Sequence, residues 1–192
     1  CNGIGTPRLL LSNRTSKFKN GLSNSSGLVG KNLMMHPLGY LEGRVDVDIM
    51  SSVGPQGCCI ISQEFYETDF TRGFKRGFTM QVLRSPGPME TMIKGLDRKQ
   101  INFGPSFYSD FEKRWNKLVS FSVISEDLPE TNNKVYLSNH SDRFGIPIPT
   151  VEYKISENTK RILSFAIRSG KQLLRSEEHT SELQSRVDIS YA

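Results

Sequence analysis

Three histidines are the residues of this sequence best suited to acid–base chemistry, because the imidazole pKa lies near neutrality. His36 precedes Pro37, His140 lies in a predicted turn between strands, and His179 lies in a polar C-terminal segment. A lone histidine is more often a hydrogen-bonded structural residue than a catalyst. We therefore assign no catalytic residue from the histidines alone.

Two groups of acidic residues could supply a paired acid and base. The groups are Glu64, Glu67 and Asp69, and Asp110, Glu112 and Asp127. Neither group is accompanied by partner residues that would tune one carboxyl group against another. We expect these carboxylates at solvated ends of strands.

The three cysteines, Cys1, Cys58 and Cys59, form no disulfide framework and have no zinc-ligand spacing. We expect buried free thiols in a reducing compartment. No residues are predicted to bind a metal.

The sequence Gly3-Ile4-Gly5 is similar to the start of the dinucleotide fingerprint. That fingerprint requires a third glycine, which lets the helix pack closely on its strand while the helix N-terminus faces the pyrophosphate. The third position here is Arg8. A simple turn before a helix explains the two glycines equally well.

Composition excludes several functional classes. The chain has 192 residues and a formal net charge of +5, but its Lys and Arg residues are scattered, so we predict no nucleic-acid partner. No apolar run approaches the roughly 20 residues that cross a bilayer. The sequence begins at Cys1 without a signal-peptide pattern, and localisation is not predicted.

The hydrophobic pattern indicates about six strands and at least two helices. Apolar residues alternate with polar or small ones in most of these strands, whereas 58–62 is a short apolar run. The predicted strands lie near 41–49, 58–62, 77–84, 118–124, 133–138 and 148–155. Helical spacing occurs over 105–118 and 157–174, with Ser156 as the predicted N-cap of the second. A short helix is also predicted over 4–11, with Thr6 as its N-cap and Pro7 at its first position. This order predicts an α+β fold with one mainly antiparallel sheet and flanking helices.

Several ordered segments resemble the glucose–methanol–choline (GMC) family of FAD-dependent oxidoreductases. NGIGTPRLLL near the start resembles the family's second signature, and NSSGLVGKNLMMHP at 24–37 continues the match. The segments 62–69, 125–130, 133–138 and 145–153 resemble the bacterial dehydrogenase branch. The resemblance thus covers essentially residues 1–174.

The resemblance implies two domains and a substrate pocket. Residues 1–32 would be a remnant of the FAD-binding domain with its crossing loop, and 33–174 the substrate-binding domain. Gly3, Gly5 and Asn32 would lie near the FAD cofactor, and His36 and Leu38 near a small-molecule alcohol. Choline-oxidising members carry a carboxylate at the position of Leu38, so a cationic substrate is disfavoured.

The family mechanism implied by the resemblance is oxidation of an alcohol, with hydride passing to the flavin. The base is a histidine near the family's C-terminus, and no matching motif follows residue 155. We therefore expect an internal fragment that is inactive by itself. The electron acceptor, the alcohol and the oligomeric state are not predicted. The alternative is a non-catalytic β-rich binding or scaffold domain.

The C-terminal segment 175–192 has a different character. Residues 175–185, RSEEHTSELQS, resemble the translation of a common sequencing-library adapter. The segment carries two arginines against four acidic residues and shows no sustained apolar period. We expect a non-native tail that makes few contacts with the rest of the chain.

Overall fold

The structure is a computed structural model that describes residues 2–55, 58–176 and 180–189. These residues divide into two compact units. Unit 1 contains 2–35 and 127–159, and unit 2 contains 36–126, 160–176 and 180–189. Residues 127–159 therefore group with the N-terminal segment. The assignment of 1–32 and 33–174 to the two domains of the resembling family remains a prediction.

Four helices and seven strands make up the described part of the chain. In order they are α1 (Gly5–Ser12), β1 (Pro37–Val45), β2 (Cys58–Ser62), β3 (Phe78–Leu83), α2 (Pro88–Asp97), α3 (Phe107–Glu112), β4 (Leu118–Ser125), β5 (Lys134–Ser141), β6 (Pro147–Glu152), α4 (Glu157–Ser176) and β7 (Thr180–Ile189). A 3-10 turn spans Phe70–Arg72. The mixture of helices with antiparallel sheets confirms the α+β class.

All six predicted strands are present, but they do not form one sheet. Unit 2 contains a five-stranded antiparallel sheet in the order β2-β3-β4-β1-β7, whereas β5 and β6 form a separate hairpin in unit 1. The single-sheet prediction is wrong because alternation reveals strands and not their partners. The first strand also begins earlier than predicted, and Val47 and Ile49 are 44% and 43% exposed beyond its end.

The core of unit 2 lies between this sheet and α4. Leu41, Val123, Ile162 and Ala166 are fully buried there. The helix approaches the sheet closely because of two glycines. A Cβ at Gly170 would lie 3.1 Å from Leu41 Cδ1, and one at Gly39 would lie 3.1 Å from Ile167 Cδ1.

The N-terminus of α4 is as predicted, whereas that of α1 is not. The Thr159 amide donates to Ser156 Oγ at 3.1 Å, which is the geometry of an N-cap. Thr6 lies inside α1, so its predicted capping role is wrong. Instead, Asn2 Oδ1 accepts the amides of Ile4 at 3.1 Å and Gly5 at 2.6 Å.

Two helices between β3 and β4 differ from the sequence prediction. The helix predicted over 105–118 is limited to α3, because Leu118 begins β4. The other helix, α2, was not predicted. Its sequence does carry a helical signal, because Met89, Met92, Ile93 and Leu96 lie at helical spacing. The helix nevertheless buries Thr91 and Gly95 fully, while Met89 and Ile93 are 64% and 58% exposed.

The C-terminal segment pairs with the sheet, contrary to the expectation of few contacts. β7 is antiparallel to β1, and its register pairs Gly43 with Leu183 and Gly39 with Val187. In the sequence, Leu183, Val187 and Ile189 lie at alternate positions apart from the polar Ser185 between the first two, so the strand signal is incomplete. Backbone hydrogen bonding requires only an extended segment, which even a foreign sequence can provide.

Candidate functional site

The five-stranded sheet has a polar face opposite α4. Directly paired residues share a face, so the register places Tyr40, Ser122 and Gln81 in one row across three strands. All three are half-buried. This row of hydroxyl and amide groups is the part of the described chain that best fits recognition of a hydroxylated molecule. We call it the polar row.

Glu42 lies beside the polar row and is 3% exposed. Its Oε1 accepts from Arg98 Nη1 at 3.1 Å and lies 3.4 Å from Arg114 Nη2. Arg98 immediately follows α2, and Arg114 follows α3 closely. Two helices thus deliver the guanidinium groups that compensate a buried carboxylate.

Tyr40 joins the polar row to this ionic cluster. Its hydroxyl oxygen lies 2.9 Å from Glu42 Oε2 and 2.8 Å from Ser120 Oγ. A carboxylate only accepts hydrogen bonds, so Tyr40 donates to Glu42 and the Ser120 hydroxyl is left to donate to Tyr40. Burial, together with the Glu42 charge, raises the pKa of Tyr40 to about 12. Tyr40 is therefore a neutral phenol whose proton is already engaged.

The two predicted substrate residues lie at the start of this region. Leu38 belongs to β1 and pairs with Ile124 of β4, on the same face as Tyr40. His36 precedes the strand and is exposed. The structure gives the His36 side chain no hydrogen bond to any described residue. Their roles as substrate-binding residues remain predictions.

The three predicted cofactor residues lie in unit 1. Gly5 is the first residue of α1, Gly3 is exposed in the turn before it, and Asn32 is half-buried in the loop before β1. Asn32 has a left-handed backbone with φ of 55°. This conformation suits asparagine better than most other residues.

The residues around α1 do not fit a flavin pyrophosphate. Asn2 Oδ1 already accepts the first amides of the helix, which are the donors that a phosphate would need. Arg8 is held by Asp142 at 2.6 Å and by the Pro147 carbonyl at 2.9 Å. A Cβ at Gly3 would meet nothing within 4 Å, so that glycine forms no tight cradle. We derive no catalytic step through a flavin from these residues.

The acidic candidates divide into aspartates with structural hydrogen bonds and exposed glutamates. Asp69 caps the 3-10 turn by accepting from the Thr71 amide at 2.9 Å. Hydrogen bonds from the Asn102 side chain and backbone lower the pKa of Asp110 to about 2. Glu64, Glu67 and Glu112 are exposed, which fits the expected solvated positions.

Asp127 departs from that expectation because it is 7% exposed. Its Oδ2 accepts from the Tyr153 hydroxyl at 2.6 Å and its Oδ1 from the Thr159 hydroxyl at 2.7 Å. Asp127 is therefore a buried structural carboxylate, and its prediction as a solvated residue is wrong.

The remaining candidates carry no site in the described part of the chain. His140 lies within β5, so its predicted place in a turn is wrong. Its side chain is exposed, and its backbone is hydrogen-bonded to Ser138. The thiols of Cys1, Cys58 and Cys59 and the whole of His179 lie outside the described residues. Within 2–55, 58–176 and 180–189, no group of three or more His, Cys, Asp or Glu could hold a metal ion. No helix in the same ranges is long and apolar enough to cross a membrane.

Five residues of this cluster were not predicted from the sequence, namely Tyr40, Glu42, Ser120, Arg98 and Arg114. A signal for the first two was present, because Tyr40, Glu42 and Arg44 alternate with the apolar residues of β1. Such a polar set normally faces solvent. Only the tertiary contacts made after α2 and α3 bury Glu42.

Comparison with known proteins gives relatives but no matching family. No family model matches the chain. The chain is 37% identical over 168 residues to the 2-methyl-1,2-propanediol dehydrogenase of Mycolicibacterium austroafricanum, covering 86% of this chain and 30% of that protein. It is 29% identical over 164 residues to the fructose dehydrogenase large subunit of Gluconobacter japonicus, covering 83% of this chain and 29% of that protein.

A third relative is the paromamine 6'-oxidase of Streptomyces fradiae, which is 27% identical over 182 residues, covering 91% of this chain and 29% of that protein. The chain therefore spans about three tenths of the length of these three curated relatives. All three are named as dehydrogenases or oxidases, so the relatives of this chain are oxidoreductases.

Proposed function

We propose that this chain is an internal segment of an FAD-dependent oxidoreductase of the GMC type that acts on a CH–OH group. The observation that carries the proposal is the 37% identity over 168 residues to a 2-methyl-1,2-propanediol dehydrogenase. The other relatives, named for fructose and paromamine, support a small hydroxylated substrate.

The part of the chain that serves this function is the sheet of unit 2. The polar row offers hydrogen-bonding groups to substrate hydroxyls, and Leu38 with Ile124 adds an apolar end to the same face. His36 lies two residues before Leu38 and would contact the substrate there. Leu38 supplies no countercharge, which favours an uncharged alcohol, polyol or sugar over a cationic one.

The residues of α1 do not hold a pyrophosphate, so the main phosphate site of the flavin would lie in another part of the parent protein. Gly3, Gly5 and Asn32 would be neighbours of the cofactor and not its principal ligands. The base that removes the hydroxyl proton would also come from another part of the parent. On this proposal the isolated chain is inactive.

We also propose that residues 175–192 are foreign to the parent protein. The support is the resemblance of 175–185 to a translated adapter, and the pairing of β7 with β1 does not oppose it, because backbone pairing is largely independent of sequence. Sequencing the source DNA beyond the codon for Leu174 tests this point. A genomic reading frame that encodes the same segment would refute it.

A segment exchange tests the proposed function directly. The segment of the Mycolicibacterium dehydrogenase that aligns with this chain is replaced by the matching residues of this chain. We expect the purified chimera to keep its flavin absorbance and to reduce a dye in the presence of alcohols or polyols. A folded chimera that neither holds flavin nor oxidises any of them would favour the alternative, a non-catalytic scaffold domain.

A further inference from the structure

Unit 2 contains an open groove of about 710 Å³ on the α4 side of the sheet, opposite the polar row. Its floor includes Ile60, Val82 and Phe121, which the register places in one row across β2, β3 and β4. Phe65, shortly after β2, lines it as well. A volume of this size is within the roughly 300–1,000 Å³ of ordinary small-molecule sites.

The wall of the groove is one stripe of α4. Phe165, Ser169, Gln172, Leu173 and Ser176 recur at helical spacing and all line the groove. Two of the five are serines, which are too small to fill the space above the apolar floor. The groove therefore exists because this stripe places small side chains where leucine or phenylalanine would close the core.

The charge of the groove is set by one residue. Among the described residues that line it, Glu64 alone carries a charge, and it is exposed. One cation contacts a lining residue, since the Arg72 guanidinium lies over the Phe65 ring at 5.3 Å, and Arg72 is paired with Asp69 at 3.3 Å. The charge of Arg72 is thus already matched by a carboxylate other than Glu64.

We propose that this groove binds an organic cation, namely a primary ammonium group attached to an apolar aliphatic or aromatic body. The body covers Ile60, Val82 and Phe121, and the ammonium pairs with Glu64 while its remaining hydrogens face water. The hydroxyl of Ser62, also in the lining, is an additional acceptor. The site is independent of the proposed alcohol oxidation, because it lies on the opposite face of the sheet from Tyr40.

Three probes that share one body test the proposal: 4-phenylbutylamine, 4-phenylbutanol and 4-phenylbutyrate. Binding to the full chain is measured by calorimetry at low and high salt. We expect saturable binding of the amine about 2- to 5-fold tighter than that of the alcohol, with the carboxylate weakest, since a partly solvated ion pair contributes little more. Salt should reduce the preference.

Glu64→Gln should make the amine and the alcohol bind equally, whereas Glu67→Gln, an exposed carboxylate outside the groove lining, should leave the preference intact. Leu173→Lys places a cation on the wall at a position that is 50% exposed, so the fold should tolerate it, and it should reverse the preference toward 4-phenylbutyrate. Absence of saturable binding by any probe, or an amine preference that survives Glu64→Gln, would overturn the proposal.

Discussion

Thr159 donates its hydroxyl to Asp127 at 2.7 Å, and this bond joins the two ends of the second segment of unit 1. The Met35 amide, at the end of the first segment, points to the same carboxylate at 3.4 Å. The Tyr153 hydroxyl donates to it at 2.6 Å. One buried carboxylate thus holds together the points at which the chain enters and leaves unit 1.

Asp127→Ala should destabilise the chain by about 3 kcal/mol. The substitution leaves the Thr159 and Tyr153 hydroxyls without their acceptor, and hydrogen bonds to a charged group are each worth about 1.5–3 kcal/mol. Urea unfolding followed by circular dichroism measures the loss. Asp97→Asn, on the exposed side of α2, is the control and should change little. Equal effects of the two substitutions would contradict the structural role of Asp127.

Glu42→Gln should cost about 3–5 kcal/mol, because removing one partner of a buried ion pair leaves the other charge uncompensated. Arg114 is 5% exposed and would be that charge. Glu90→Gln removes the carboxylate of an exposed pair with Lys94 and should cost less than about 1 kcal/mol. Chemical denaturation of both variants gives the comparison. A small effect at Glu42 would show that water reaches the cluster.

The free energy of unfolding should fall at high pH because the half-buried Tyr40 phenol ionises there. Its pKa is raised to about 12 in the folded chain, above the ordinary tyrosine value of 10.0, so the unfolded chain loses the proton first. The stabilisation from the neutral phenol is therefore complete below pH 10 and is lost as the pH rises through about 12. The decline in the free energy of unfolding is measured from denaturant midpoints at several pH values between 10 and about 12.

Tyr40→Phe is the matched control for this pH dependence. The variant keeps the ring but has no group that ionises, so its stability should decline less over the same range. Absorbance titration should also show that one tyrosine with a pKa of about 12 is missing from the variant. Identical alkaline profiles for the two proteins would exclude Tyr40 as the source.

The strands and α4 were predictable from local sequence, whereas their partners were not. Alternation in β3 and β4 and the Ser156 cap of α4 are properties of short segments. The separation of the β5–β6 hairpin from the main sheet depends on contacts far apart in the sequence. By contrast, α2 was predictable in principle, because Met89, Met92, Ile93 and Leu96 lie at helical spacing, although its buried residues are Thr91 and Gly95.

The candidate site shows the same division. His36 and Leu38 were named from a resemblance, and Leu38 lies on the same face of the sheet as the polar row. Glu42 could not be recognised as buried, because its burial depends on Arg98 and Arg114, which are separated from it by more than fifty positions in the sequence. The alternation of polar residues in β1 was visible in the sequence. The sequence did not show that the face of the sheet carrying Glu42 is covered by Arg98 and Arg114.

Truncation after Ser176 should lower the melting temperature. It removes β7 and leaves the edge of β1 without its strand partner from Pro37 to Val45. Amides of β1 should then exchange faster with solvent, while those of β3 should change less because β3 remains between β2 and β4. Removal of residues 190–192 alone is the control. An unchanged melting temperature and unchanged exchange in β1 would restore the original expectation that the segment makes few contacts.

The isolated chain should neither bind FAD tightly nor oxidise alcohols, a prediction that rests on the proposed function. Asn2 Oδ1 occupies the first amides of α1, and Arg8 is held by Asp142, so no cluster of free donors faces a pyrophosphate there. A general base commonly contributes about 10²–10⁴-fold to a rate, and no described residue is assigned that role. Titration of the full chain with FAD, followed by flavin fluorescence, should show no tight binding, and dye reduction with primary alcohols and polyols should stay at background.

Micromolar binding with measurable turnover would mean that the flavin site lies within this chain. In that event Asn2→Ala, which frees the first amides of α1, should strengthen binding if α1 holds the pyrophosphate and leave it unchanged if another element does.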